Sequence, residues 1–194
     1  MGTIARLLGA LAGVAVLADV PESRGPVWDT AGPISFSVES VTGPGPALVR
    51  LALRNWTSAS EGRLVFREAD EPQHLGIRVS FTSGNELYGE TRPEVRHGRI
   101  VAAEIVMLAD PVGDPLEKRL EQYLTALHEL GHALGLGHSD DFGSIMYRFR
   151  GPEDPPRYFM RYRKLLRSAE DIGSAAATGL SERDRLELRH LYGW

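Results

Sequence analysis

Residues 128 to 138 read His-Glu-Leu-Gly-His-Ala-Leu-Gly-Leu-Gly-His, so three of the chain's six histidines, a glutamate and a glycine occupy the fixed positions of HExxHxxGxxH. Residues four apart on a helix share one face about a turn apart, so His128 and His132 can aim imidazole nitrogens at a single point. If the helix ran on, a residue six positions beyond His132 would be carried away from that point. Gly135 can take positive φ at low steric cost, end the helix and return His138 to the other two. Three such ligands suit zinc, at Zn–N distances of roughly 2.0 to 2.1 Å, and leave the fourth tetrahedral position to water, which is a catalytic layout and not a structural one. Glu129, next to the first ligand, can take a proton from that water, whose pKa zinc lowers to about 7. The expected chemistry is peptide hydrolysis through a zinc-bound water activated by Glu129. That water attacks a carbonyl polarised by the metal, and Glu129 delivers the proton to the leaving amine.

A chance HExxH on a polar helix face is the reading any five-residue match must overcome; the added glycine and third histidine weigh against it. A second alternative takes a downstream glutamate, Glu170 or Glu182, as third ligand in a thermolysin-like site. Gly135 and His138 argue against that one. A third is a non-catalytic secreted module that holds zinc for structure, and the intact Glu129 disfavours it. His74, His97 and His190 stand outside the pattern and read as ordinary surface or core histidines.

The helix that must carry this motif is predicted from about Leu116, where Leu120, Tyr123, Leu124, Leu127, Leu130 and Leu134 recur at helical intervals up to Gly135. Ahead of it, Ile34, Phe36 and Val38 alternate as a strand, and Leu48, Leu51, Ala52 and Trp56 follow at helical spacing. Strands are predicted at Leu64 to Phe66 and Ile77 to Phe81, with a short edge strand at Leu87 to Thr91. Arg99 to Leu108 is apolar enough to lie inside the sheet. Ser181, with Asp184 three residues on, opens a final helix through Leu186, Leu188 and Leu191. The sum is an α+β domain with a mixed sheet of about five strands, an active-site helix and a C-terminal helix.

That domain is read over residues 34–194, behind a proline- and glycine-rich connector at 19–33. Residues 1–18 have the layout of a signal peptide, with one arginine before the apolar run Leu7 to Ala18. The run is shorter than the roughly 20 apolar residues that span a bilayer. The protein is therefore expected to be secreted or otherwise extracytoplasmic; an N-terminal helix packed on the domain is the other reading. With 22 basic and 26 acidic residues the net charge is −4, too slight an imbalance to imply a nucleic-acid partner. The expected partner is a protein or peptide substrate, met by a monomer with no stable membrane insertion after signal cleavage.

The extended motif, Ser139 after its third histidine, and Ser144-Ile145-Met146-Tyr147 beyond it resemble a metzincin with its Met-turn, and are most similar to matrixins. The resemblance implies a zincin-like metzincin catalytic domain over about Ile34 to Gly193. In it Met146 would form an apolar floor under the histidines without being a ligand, and substrate would lie along the edge strand near Leu87 to Thr91. One catalytic zinc is implied, since only His74 and His97 precede the motif and the histidine-rich loop of many animal matrixins has no counterpart. Calcium is left unassigned, with Asp110 and Asp114 as oxygen donors of the right kind. The chain has no cysteine, which removes disulfides, thiolate ligands and the cysteine switch of matrixin propeptides. A departure from the family follows Met146: a long segment bearing Arg148, Arg150, Arg157, Arg161, Arg163, Lys164 and Arg167. It reads either as a surface that steers acidic substrates or as a solvated helix face.

Overall fold

Alternating apolar residues set the sheet. In the computed structural model, which describes residues 24–69, 74–84 and 88–194, the strands are β1 (Ile34–Val38), β2 (Phe66–Glu68), β3 (Gly76–Thr82), β4 (Gly89–Arg96) and β5 (Arg99–Leu108). The segment read as a signal peptide lies outside the described residues, as does Leu87. The sheet order is β2-β1-β3-β5-β4, with β4 antiparallel to β5 and the other pairings parallel. It is the mixed five-stranded sheet of an α+β domain. Strand β5, flanked on both sides, buries Ile100, Ala103, Ile105 and Met107, as its apolar run requires.

Two strands differ from their expected bounds. Leu64 is fully buried but precedes β2; its amide is held by Ser60 Oγ at 2.9 Å and so is unavailable to a ladder. Strand β4 extends to Arg96, well past Thr91. It is polar and largely exposed, and includes Pro93, which an edge tolerates, so no apolar alternation marks its length.

Helix α1 (Gly45–Ala59) buries Leu48, Val49, Ala52, Leu53 and Trp56, and packs on helix α2 (Pro115–Ala133), which bears the motif. The start of α2 is fixed by Pro115 in its first turn and by a reciprocal capping box between Asp114 and Glu117. Asp114, an oxygen donor of the kind calcium takes, thus caps a helix, and Asp110 pairs with Lys118 at 2.9 Å. The other end of α2 is held by distant donors. The Trp28 indole donates to Ala133 O at 2.7 Å, the Tyr192 hydroxyl to Leu134 O at 3.1 Å and, a turn or two earlier, the Trp56 indole to Leu127 O at 3.0 Å. Carbonyls at a helix end lack intrahelical partners, so these bonds fix the axis on which two of the histidines ride. Trp28 lies within the stretch read as a connector; it is buried in the core, and Val27 O accepts from Ile100 N at 2.9 Å.

The basic segment forms helix α3 (Asp154–Arg163), followed by a 3-10 turn at Ala169–Asp171. Tyr158 and Tyr162 face inward, and most of the cations engage nearby groups. Arg150 pairs with Asp140, Arg167 with Asp171, and Arg161 donates to the carbonyls of Phe142 and Gly143. Of these three cations only Arg161 lies on α3 itself. The last helix, α4 (Glu182–Tyr192), begins at the Ser181/Asp184 capping box and ends at Gly193 in the left-handed region.

Candidate metal centre

His128 and His132 sit on the final turns of α2, which stops at Ala133. Gly135 has φ +95°, and a Cβ there would overlap the carbonyl oxygen of Pro26, so both conformation and space demand glycine. Beyond it the chain doubles back. Ser139 N donates to Met146 O at 2.7 Å and Arg148 N to Ser139 O at 3.0 Å, and this short bridge holds His138 against the other two histidines.

The three Nε2 atoms converge, His132 lying 3.1 Å from His128 and 3.3 Å from His138. On the far side of the rings, His128 Nδ1 meets Ile145 O at 2.6 Å and His132 Nδ1 meets Leu136 O at 2.9 Å. A carbonyl can only accept, so both Nδ1 atoms carry the proton and both Nε2 atoms present lone pairs. Lone pairs crowded at 3.1 Å repel one another unless a cation lies between them. Tetrahedral ligands at roughly 2.0 to 2.1 Å from zinc stand about 3.3 Å apart, so the donor set and its spacing fit that ion. Among the described residues this is the one group of three potential ligands whose atoms lie within 4.8 Å of one another. Glu170, Glu182, His74, His97 and His190 are not part of it.

Burial, and then the neighbouring His132, push His128 down to about 4 from the usual 6.5. His132 and His138 are lowered as well, chiefly by burial. The imidazoles are therefore neutral, and able to bind metal, at neutral pH. Between about 6.5 and about 4 the unfolded chain binds a proton at His128 that the folded chain refuses, so stability is lost as pH falls through that window. Metal-free protein should melt at progressively lower temperature from about pH 7 to about pH 4, and zinc should be released over the same range. A flat profile of both would contradict neutral imidazoles at this site.

Glu129 is buried on the same cleft wall, and its Oε2 accepts from Thr91 Oγ1 at 2.6 Å. Burial raises its pKa, while the Thr91 hydrogen bond opposes the rise. Met146 is fully buried. A Cβ on Gly131 would run into its sulfur and come within 3.3 Å of the Trp56 ring. Glycine inside a helix costs roughly 1 kcal/mol relative to alanine, and here the cost is offset by close approach of the methionine. The turn that carries Met146 is tied down from two helices. Asp184 of α4 accepts from Ser144 Oγ at 2.5 Å and from Ile145 N at 3.1 Å, and Tyr158 of α3 donates to Ser144 O at 2.9 Å. Since Ile145 O in turn holds His128, Asp184 orients a histidine at second remove.

The cleft has a volume of about 420 Å³, with Gly89, Glu90 and Thr91 of β4 on one side. Its lining also includes the aromatic wall of Tyr147, Phe149, Tyr158 and Phe159, and Tyr88 meets Phe159 edge-on at 5.4 Å. The structure brings the three motif histidines together and lines the same cleft with Glu129. Thr91, Gly131, Asp184 and the aromatic wall lie outside what the motif reveals; the one signal for any of them is a glycine inside a helix, at position 131.

The histidine-bearing helix α2 packs on β4 and β5 of the mixed sheet, and the third histidine returns to it after Gly135. In residues 112–160, which match the sequence model of the family described as Matrixin, the chain is matrixin-like. Metalloendoproteinase 1 of Glycine max is 29% identical over 121 residues, 55% of this chain. The match spans 37% of that relative's own length. The solved structure of myroilysin covers 87% of this chain and 83% of its own at 15% identity, with a TM-score of 0.48.

Proposed function

We propose that the chain is a zinc-dependent endopeptidase in which His128, His132 and His138 hold the metal and Glu129 is the general base. The observation that carries this reading is the convergence of Nε2 lone pairs at 3.1 and 3.3 Å beside a buried carboxylate. When bound, zinc supplies a Lewis acid that polarises a carbonyl and lowers the pKa of water to about 7. Glu129 accepts a proton from the attacking water and passes it to the departing amine nitrogen. Met146 keeps the underside of the histidines apolar and closed to water. Among the described residues strand β4 pairs with β5 on one side only, which leaves a row of main-chain groups for an extended peptide to join by strand addition. The aromatic wall then receives a bulky apolar side chain of the peptide.

Residues 34–194, with Val27 and Trp28 packed onto them, form the catalytic domain in this reading, and residues 1–18 direct export before removal, so the enzyme works outside the cytoplasm as a monomer. No described helix is long and apolar enough to cross a membrane. The test is cleavage of a peptide library by the zinc-loaded protein. Cuts should fall at internal bonds beside a bulky apolar residue, vanish with a zinc chelator and return with added zinc. Folded, zinc-replete protein that cuts no peptide would overturn the proposal.

A further inference from the structure

Strand β4 meets the base as well as the cleft. Gly89 and Thr91, two residues apart, lie on one face of that strand, and both touch Glu129. The Thr91 hydroxyl is 2.6 Å from Glu129 Oε2 and 3.0 Å from Glu129 O. It has one proton to give, and the nearer, charged acceptor takes it. Among the described residues no other donor reaches that carboxylate. A Cβ on Gly89 would come within 2.8 Å of Glu129 Cγ, 3.0 Å of its Oε1 and 2.8 Å of Thr125 Cγ2. Gly89 is not among the positive-φ glycines, so close approach of α2 through Glu129 and Thr125, and not backbone conformation, accounts for the missing side chain.

We infer that Thr91 is the positioning residue of the general base, with Gly89 as the gap that lets Glu129 lie against the strand; this rests on the reading of Glu129 as base. Threonine is β-branched and stiff at χ1, so its hydroxyl is held toward one carboxylate oxygen and leaves the other for water. The strand proposed to pair with substrate thereby also aims the group that acts on it.

The test compares Thr91→Val, Thr91→Ser and Gly89→Ala in the zinc-loaded protein. Valine keeps the branched shape and loses the donor. Its kcat should fall on the order of tenfold to a hundredfold, the worth of a hydrogen bond to a charged group, while KM and zinc content stay at wild-type values. Serine should restore kcat to within about threefold, because it returns the hydroxyl. Gly89→Ala should lower kcat in the same way, and it serves if the valine variant fails to fold. Crystal structures of the metal-free proteins provide a readout apart from activity, and the Glu129 carboxylate should be turned away in Thr91→Val. Wild-type kcat in both Thr91→Val and Gly89→Ala, loss in KM alone, or an unmoved carboxylate would overturn the inference and leave the proposed function intact. A zinc-replete wild type that cuts nothing would overturn both.

Discussion

Glu129→Gln keeps its zinc and loses turnover by roughly 10²- to 10⁴-fold, the usual worth of general acid-base catalysis. Glutamine has the same shape and still offers Thr91 an amide oxygen, so the local packing survives. What disappears is the ability to accept and return a proton. Two of the three imidazoles are held independently of this side chain, since the Nδ1 atoms of His128 and His132 rest on the carbonyls of Ile145 and Leu136. Stability should move the other way from activity. Burial raises the Glu129 pKa, so its charged form costs the fold something at neutral pH that a neutral amide does not. The variant should melt at or above the wild-type temperature. Wild-type kcat, or loss of zinc, would contradict the role assigned to Glu129.

Asp184→Ala should destabilise the fold by on the order of 3 kcal/mol or more. The carboxylate is fully buried and accepts from Ser144 Oγ, Ile145 N, Ser181 N and Ser181 Oγ. Truncation leaves these donors without their acceptor, at about 1 to 3 kcal/mol for each that stays buried and unpaired. It also frees the start of α4, which loses half of its capping box. The consequence for the metal follows from the chain of contacts from Asp184 through Ile145 to His128. Loss of an orienting partner behind a ligand typically lowers metal affinity by about 10- to 100-fold. Denaturant melts and zinc titration of the variant measure the two effects separately. Wild-type values of both would show that the turn at Ser144 to Tyr147 stands without Asp184.

The motif was legible because its logic is local: His128, Glu129, His132, Gly135 and His138 lie within one helix end and the turn that follows. Arg99 to Leu108 and the Ser181/Asp184 cap were legible for the same reason, since an apolar run and a cap declare themselves within a few residues. The supports of the site come from far away in sequence and leave no such trace. Thr91 reaches Glu129 across 38 positions, and Asp184 reaches Ser144 across 40. Thr91 stands in a polar, exposed strand whose length no alternation announces. Asp184 is already accounted for as a helix cap, which hides its second set of bonds. Trp28 reads as part of a proline- and glycine-rich connector until its indole is seen at the end of α2. Gly131 is the exception, a glycine placed where a helix would prefer alanine, and Met146 is the reason for it.

Everything proposed for this chain depends on a zinc ion at the meeting point of three imidazoles. Crystals of zinc-loaded protein, with anomalous scattering recorded at the zinc edge, measure this most directly. The expected result is one ion with Nε2 of His128, His132 and His138 at roughly 2.0 to 2.1 Å. Full zinc occupancy at some other group, or no ion among these rings in protein soaked with zinc at neutral pH, would contradict it.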